Sequence, residues 1–286
     1  MIRKSLPGET RTPIQLREHY EIEKELADRL RQSSKEERSH LYAALYDELF
    51  RRVPHLTQHA SSARRQADVA IQMRLLRPFL DETTVFLEIG PGDCSLSFAA
   101  AEIVRSVYAV DVSAEVTKKY PVQPGNFNLI LSDGSNIPLP PESVDVAFSN
   151  QMVEHLHPDD LPGHLRSVWE ALKPGGVYLC VTPNRLNGPH DISRYFNTVA
   201  AGFHLKEYTF HELRFLFQEA GFSKMEAYVG GAGRYFRSPM PPIIWLEKFL
   251  ALLPERIRMP LAWNPLGRGL LGIRIAGRKS VRRASL

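Results

Sequence analysis

The chain has 286 residues, of which 43% are hydrophobic and 24% are charged, and its formal net charge is +4 at neutral pH. A chain of this length and composition buries a substantial core, which excludes wholesale disorder. Its two cysteines, Cys94 and Cys180, fall in separate predicted core elements and cannot form a metal cluster by themselves, so we expect a reducing compartment.

The two ends of the chain carry the signals for location and charge. The first residues lack the apolar core of a secretory signal, and no run of about 18 apolar residues occurs, so we expect a cytoplasmic protein. Residues 256–286 hold eight Lys or Arg and no acid, which leaves the rest of the chain near −4. Such a basic end is typical of a solvated terminus, although contact with anionic lipid or nucleic acid stays open.

The first eighty residues predict helices. Apolar residues recur there at intervals of three or four, and Ser34 with Glu37 forms a capping box. Pro54 is expected to stop the helix that this box begins. We therefore expect a helical N-terminal extension over residues 1–80, covering one side of a sheet or the entrance for a substrate.

From Val85 onward, strand patterns alternate with helical patterns, which is typical of a doubly wound α/β sheet. A second capping box, Thr209 with Glu212, begins the last helix of this region. A late pair of strands, separated by about forty residues, is expected to be antiparallel. The predicted strands are 85–89, 107–110, 127–131, 144–148, 177–181, 224–229 and 271–276.

An apolar insertion, residues 239–267, lies between the last two predicted strands. It is too short to span a bilayer, and we expect a helix packed on the core or at a dimer contact. A lid over an apolar substrate and an attachment to a membrane surface are the alternatives. The sheet-forming domain is then expected to comprise residues 81–238 and 268–278, followed by a basic tail, 279–286.

The most informative stretch is 85–93, where an apolar strand meets a glycine-rich turn. Gly90 and Gly92 let the backbone turn tightly, and a helix from Ser95 would point its amide groups at a ligand. Dinucleotide enzymes use a similar turn, but Ser95 replaces their third glycine, and Glu88 would disfavour a pyrophosphate. The turn predicts a nucleotide-type cofactor pocket, while an ordinary turn that uses glycines for geometry alone stays open.

Three polar residues, Asp111, Asp133 and Asn150, stand at the ends of successive predicted strands. Because ligands of open α/β sheets bind at the carboxyl ends of the strands, these residues should converge with Gly90. Asp111 comes 21 positions after Gly90, the interval at which a carboxylate reaches ribose hydroxyls. A lone Asp at a strand end is often only a cap, but the set in register with the glycine turn favours a nucleoside site.

Several motifs follow one another in a fixed order along the sheet-forming region. They include Glu88-Ile89-Gly90-Pro91-Gly92, Ala109-Val110-Asp111, Ser132-Asp133-Gly134, Glu154-His155-Leu156 and Thr209-Phe210-His211-Glu212-Leu213. From about residue 85 to residue 221, this order resembles the small-molecule class I S-adenosylmethionine-dependent methyltransferases, near the ubiquinone O-methyltransferase group. The resemblance implies a seven-stranded, mostly parallel sheet with a late antiparallel strand pair.

The resemblance also implies S-adenosylmethionine as the cofactor and assigns the residues that would bind it. From the methionine part through the ribose and the adenine to the sulfonium end, these are Glu88, Gly90 and Gly92, then Asp111, then Asp133, Gly134 and Ser135, and finally Asn150 and Gln151.

Two histidines are candidates for a catalytic base. Methyl transfer is an in-line displacement that needs alignment above all, but a hydroxyl nucleophile also benefits from a base that titrates near neutrality. His155 follows the fourth strand and His190 lies in the polar loop after the fifth, next to Asp191. A purely structural role in these loops is the alternative for both. No metal is expected, since Asn150 stands where the metal-dependent catechol type has an acidic residue.

We therefore expect a methyltransferase for a small-molecule acceptor, with oxygen as the favoured atom and an apolar, lipid-linked or saccharide acceptor. An NAD-dependent oxidoreductase and a non-catalytic scaffold of the same fold stay open. DNA is not an expected partner, because Asn150 is not followed by two prolines and an aromatic residue. A homodimer and a peripheral membrane contact through residues 239–286 stay open.

Overall fold

The computed structural model describes residues 9, 11–53, 62–113 and 122–281. In these ranges the chain forms one sheet of eight strands in the order β3-β2-β1-β4-β5-β8-β6-β7. The first five strands are parallel, β8 lies antiparallel between β5 and β6, and β7 pairs antiparallel with β6. The strands are β1 Val85–Ile89, β2 Ser106–Asp111, β3 Phe127–Leu131, β4 Val144–Asn150, β5 Leu172–Thr182, β6 Lys224–Gly231, β7 Arg234–Ser238 and β8 Ile273–Arg278.

The expected fold class is confirmed, including the late antiparallel pair, which β6 and β8 form. The sheet has one strand more than the seven expected. The additional strand, β7, follows β6 through a tight turn and is a five-residue edge strand that carries Arg234 and Arg237. Short edge strands with charged side chains give little apolar periodicity, which explains why the pattern did not predict it.

The described residues also contain nine α-helices. Both predicted capping boxes form, at Ser34 with Glu37 and at Thr209 with Glu212. The predicted stop at Pro54 lies outside the described residues. The helices are α1 Pro13–Gln32, α2 Lys35–Arg52, α3 Ser62–Leu76, α4 Ser95–Ala101, α5 Leu161–Ala171, α6 Phe210–Glu219, α7 Met240–Ala251, α8 Glu255–Trp263 and α9 Pro265–Leu271.

Alternating strand residues divide between two cores, one on each face of the sheet. Leu87 and Ile89 of β1 point into a core that includes α5 and α6, whereas Phe86 points into a second core with α3 and α4. The first core also contains buried residues of α1 and α2, such as Leu30 and Leu45. The N-terminal helices are thus packed into the main core of the sheet-forming region.

A buried ion pair ties α2 to the segment that precedes α5. The Arg38 guanidinium donates two hydrogen bonds to the Asp160 carboxylate, at 2.7 and 2.8 Å. The Tyr42 hydroxyl donates to the same carboxylate at 2.8 Å and accepts the amide of His157 at 2.8 Å. Both oxygens of Asp160 therefore accept hydrogen bonds from side chains of α2. These charge-assisted bonds hold α2 over the carboxyl ends of the strands.

The apolar insertion folds as α7, α8 and α9. Ile243 and Ile244 of α7 join the main core, and the buried Glu247 accepts hydrogen bonds from the first amides of α6 at 2.8 and 3.1 Å. Trp245 and Leu252 remain 74% and 83% exposed. Among the described residues, no helix combines the length and the apolar character needed to cross a bilayer.

The start of the expected basic tail belongs to the fold. Lys279 is buried, donates to the carbonyl of Leu172 at 2.8 Å, and lies 4.2 Å from the centre of the Trp169 ring. The remainder of the tail, 282–286, lies outside the described residues.

Replacing Asp160 with Ala should strand the buried charge of Arg38. We expect the free energy of unfolding to fall by about 3–5 kcal/mol, the usual cost of removing one partner from a buried pair. Urea denaturation checks this, with Glu170→Ala as the matched control, because this acidic side chain is paired with Arg166 at the surface and the pair should contribute less than about 1 kcal/mol. Equal effects of the two substitutions would contradict the role assigned to the buried pair.

Candidate active site

The register of the parallel strands aligns the predicted site residues at one edge of the sheet. Ile89 of β1 pairs with Val110 of β2 on one side and with Ser149 of β4 on the other. The next residues along these three strands, Gly90, Asp111 and Asn150, therefore stand side by side at the carboxyl ends.

The glycine-rich turn has the conformation that its sequence predicts. Gly90 and Gly92 have φ angles of +66° and +59°, where an ordinary side chain is strained. A Cβ atom on Gly90 would also lie 3.0 Å from the side chain of Met152. The Gly90 amide donates to the carbonyl of Val110 at 2.9 Å, so the turn is anchored to β2.

Glu88 is a buried carboxyl group under this turn. Burial raises its pKa to about 8, the hydrogen bond donated by Ser97 opposes this in part, and the negative charges of Asp93 and Asp111 add to the increase. Glu88 is therefore mostly protonated at neutral pH. A cationic group brought close to it would favour the ionised form.

Asp111 ends β2 and is half-buried. Burial raises the pKa of its carboxyl, and the backbone amides of Ser113 and Val112 oppose the increase. The bond from the Ser113 amide measures 3.1 Å.

Asp133 holds its own loop together. Its carboxylate accepts four hydrogen bonds of 2.8 to 3.0 Å, from the backbones and side chains of Ser135 and Asn136. Burial raises the pKa of Asp133, but these bonds outweigh burial and lower it below its usual value. Asp133 thus stabilises its own turn, which is the alternative that the sequence left open. Its role in cofactor binding stays a prediction.

Helix α2 covers the loop that Asp133 begins. Gly134 has φ +87°, and a Cβ atom there would lie 3.3 Å from the ring of Tyr42. A cavity of about 300 Å³ between α2 and this loop is lined by Tyr42, Asp133 and Ser135, among others. Two of the three residues predicted to face adenine, Asp133 and Ser135, therefore line a space that an N-terminal helix borders.

Asn150 and Gln151 begin the turn that leaves β4. The Gln151 amide donates to the carbonyl of Val181 at 2.8 Å, with φ at +55°, and its side chain is exposed. Asn150 pairs with Val181 at the last position of β4. Both residues thus lie at the same edge as Gly90.

His155 is partly buried and its imidazole is neutral at pH 7. Its Nδ1 lies 3.0 Å from the carbonyl oxygen of Phe203, and its ring meets the ring of His204 edge-on at 4.9 Å. Desolvation and, to a smaller extent, the charge of His204 lower its pKa to about 3, while the contact with the Phe203 carbonyl opposes them. An imidazole with this pKa is a weak general base at neutral pH.

The structure brings together polar residues to which the sequence analysis assigned no role. Thr182 donates to Glu154 Oε2 at 2.8 Å, and His204 Nδ1 lies 2.7 Å from Glu207 Oε1. Burial raises the pKa of Glu154 to about 7, with the charge of His204 opposing. Burial lowers the pKa of His204, but Glu207 and Glu154 outweigh it, so that pKa is raised. In the sequence, these residues could have been found only from the spacing of three between His204 and Glu207, which allows an imidazole–carboxylate pair, in a loop with no predicted role.

His190 is held within the loop after β5. Its Nε2 lies 2.9 Å from Asn187 Oδ1, and its ring stacks on Trp263 of α8 with centres 6.2 Å apart. Burial lowers its pKa. The neighbouring Asp191 instead accepts the backbone amides of Ser193 and Gly202, at 2.9 and 2.8 Å. Asp191 thus shapes the loop.

Part of the chain is similar to known proteins. Residues 87–180 match the family model of the methyltransferase domain. A protein of Mycolicibacterium smegmatis described as a probable S-adenosylmethionine-dependent methyltransferase is 33% identical over 143 residues, 48% of this chain and 51% of that protein. Residues 87–180, which contain Glu88, Gly90, Asp111 and Asn150, are therefore similar to a methyltransferase domain.

Further relatives of the methyltransferase domain agree. A protein of Mycobacterium tuberculosis H37Rv with the same description is 31% identical over 140 residues, 48% of this chain and 47% of that protein. A solved S-adenosylmethionine-dependent methyltransferase of Archaeoglobus fulgidus has the same fold, with a TM-score of 0.52 and 20% identity over 83% of this chain and all of that one. The chain spans about half the length of the curated relatives it matches, and the resemblance to the ubiquinone O-methyltransferase group stays a prediction.

The burial of Glu88 predicts a pH-dependent stability. Its pKa rises from 4.5 to about 8 on folding, so the folded state binds the proton more tightly. The stabilisation from this proton is fully present below pH 4.5 and is lost as the pH rises through about 8. Glu88→Gln should therefore gain stability relative to the native chain, by up to about 3 kcal/mol between pH ~5 and ~8.

Denaturant unfolding of the cofactor-free protein at several pH values measures this difference. The exposed Glu82→Gln serves as the control, and its difference from the native chain should stay constant over the same range. A constant difference for Glu88→Gln as well would show that Glu88 ionises normally in the folded protein.

Proposed function

We propose that the protein transfers the methyl group of S-adenosylmethionine to a hydroxyl group of a small-molecule acceptor, such as a saccharide or a lipid-linked metabolite. The observation that carries the proposal is the alignment of Gly90, Asp111 and Asn150 at the carboxyl edge of a methyltransferase domain. In the reaction, an acceptor oxygen attacks the methyl carbon and the carbon–sulfur bond breaks. Its electron pair stays on the sulfur of S-adenosylhomocysteine, and the hydroxyl proton passes to a base or to solvent.

The buried acids support the cofactor part of the proposal. The methionine end of S-adenosylmethionine carries an ammonium group, and the protonated Glu88 under the glycine turn can ionise to balance it. Asp111 would bind the ribose hydroxyls, as its place at the end of β2 suggests. Asn150 and Gln151 would then border the sulfonium end.

A second cavity supports a polar acceptor. It measures about 660 Å³, lies between the loop after β5 and α8, and is lined by Arg194, Asn197, Arg256 and Trp263, among others. An indole face packs on the CH groups of a saccharide, and guanidinium groups bind phosphate or hydroxyl oxygens. The exposed apolar face of the neighbouring α7 suits an acceptor with a lipid part.

Two histidines were predicted as candidates for the base that removes the hydroxyl proton, and their environments differ. His155 alone would be inefficient, because its pKa is about 3. His190 Nε2 already lies against Asn187 Oδ1 and would have to leave this partner to receive a proton. The catalytic roles of the two histidines thus stay predictions, with the orientation of the acceptor as the contribution that the contacts favour.

No specific observation favours an NAD-dependent oxidoreductase. Incubation with S-adenosylmethionine bearing a deuterated methyl group and a panel of hydroxylated saccharides and lipid-linked acceptors tests the proposed function by mass spectrometry. We expect a labelled methyl ether together with S-adenosylhomocysteine. Binding of NAD without any binding of S-adenosylhomocysteine would overturn the proposal.

Replacing Asp111 with Ala should weaken the binding of S-adenosylhomocysteine. The loss of a half-buried hydrogen-bonding partner costs about 1–3 kcal/mol, which corresponds to a roughly 5- to 150-fold weaker affinity. Isothermal titration calorimetry measures it, with Asp159→Ala as the control, because the Asp159 side chain is 80% exposed. An unchanged affinity in Asp111→Ala would remove this residue from the cofactor site.

A further inference from the structure

Three side chains form a compact cluster beside the proposed active site. Glu154 and His155 follow β4, and His204 lies in the long loop between β5 and α6. One ligand atom from each of the three lies within 4.8 Å of the others. Two imidazole nitrogens and one carboxylate oxygen form a ligand set that transition metals prefer.

Each of these residues is oriented by a bond through its other polar atom. Thr182 holds Glu154 Oε2 at 2.8 Å, which leaves Oε1 for a ligand. His155 Nδ1 lies 3.0 Å from a carbonyl oxygen, and His204 Nδ1 lies 2.7 Å from a Glu207 carboxylate oxygen. Both contacts favour a proton on Nδ1 and leave Nε2 as the atom that can bind a metal.

Glu154 Oε1 provides an independent indication of a ligand. This oxygen is fully buried and has no hydrogen-bond partner among the described residues. Leaving a buried carboxylate oxygen unsatisfied costs free energy, and native proteins rarely do so without a functional reason. A bound cation would satisfy it.

We propose that Glu154, His155 and His204 bind a divalent transition-metal ion of the Zn²⁺, Mn²⁺ or Fe²⁺ class. At metal–ligand distances of about 2.0–2.2 Å, two ligand atoms of a tetrahedral site lie roughly 3.4 Å apart. The three ligand atoms here lie within 4.8 Å of one another, so metal binding would draw them closer together by up to roughly 1.4 Å. The pairing of His204 with Glu207 is the carboxylate–histidine arrangement that orients metal-binding imidazoles.

This site departs from the sequence expectation that no metal takes part. That expectation rested on Asn150, whereas the proposed ligands start four residues later and include His204 from a distant loop. If the proposed methyl transfer is correct, an ion on the turn that begins with Asn150 would orient an acceptor oxygen and lower the pKa of its hydroxyl. The binding of the ion itself does not depend on that function.

The alternative occupant is a proton. His204, protonated between Glu154 and Glu207, would balance the two carboxylates without any metal. The two occupants differ in a direct measurement of bound ions.

The full chain, stripped of metal with a chelator, is titrated with Zn²⁺ and then with Co²⁺. Bound Zn²⁺ is measured by mass spectrometry of metals, and Co²⁺ by its visible absorption. We expect one ion per chain and at least tenfold weaker binding in Glu154→Gln, His155→Asn and His204→Asn. The two Asn substitutions keep a donor near the Nδ1 position and remove Nε2. His40→Asn, at an exposed histidine, is the control and should bind like the native chain.

Nitrogen NMR of the native chain keeps the test independent of how the variants fold. Addition of Zn²⁺ should shift the Nε2 resonances of His155 and His204 and leave that of His40 in place. The absence of stoichiometric binding, or equal binding by all variants, would overturn the proposal. Binding of S-adenosylhomocysteine, measured in parallel, separates failure of the metal site from failure of the proposed function.

Discussion

The backbone hydrogen bonds that hold β1 between β2 and β4 place the ends of three strands in one row. Shifting this register by one residue would turn Glu88 from one face of the sheet to the other and separate Gly90 from Asp111 and Asn150. The register in turn depends on apolar side chains that alternate between two cores. The packing that buries β1 therefore also sets the position of the site residues. Helix α2, fixed by the Arg38–Asp160 pair, covers the loop that begins with Asp133.

Two buried carboxyl groups near this edge, those of Glu88 and Glu154, have raised pKa values. Glu88 and Glu154 have pKa values of about 8 and about 7, in both cases mainly because burial disfavours the charged form. Each would ionise when a cation approaches. For Glu88 the proposed cation is the ammonium group of the cofactor, and for Glu154 it is a metal ion held with His155 and His204. Desolvated acids of this kind are typical of functional sites.

Short sequence patterns were sufficient to predict the strands and the glycine turn at the carboxyl edge. The apolar strand and glycine turn at Gly90, together with the strand that ends at Asp111, followed from short runs of sequence and the known geometry of parallel sheets. The contribution of His204 could not be predicted in this way, because it depends on a loop that returns to β4 about fifty residues after His155. The burial of Lys279 against Trp169 is likewise a long-range contact. The high content of basic residues at this end of the chain predicted an exposed tail instead.

The proposed function requires the ammonium group of S-adenosylmethionine to lie near Glu88 at the carboxyl edge of the sheet. Calorimetric titration of S-adenosylhomocysteine at pH ~7, in buffers of different ionisation enthalpy, counts the protons exchanged on binding. We expect the release of nearly one proton per bound S-adenosylhomocysteine in the native chain, and a release smaller by that amount in Glu88→Gln. Binding with the same proton count in both proteins would contradict the placement of the ammonium group near Glu88.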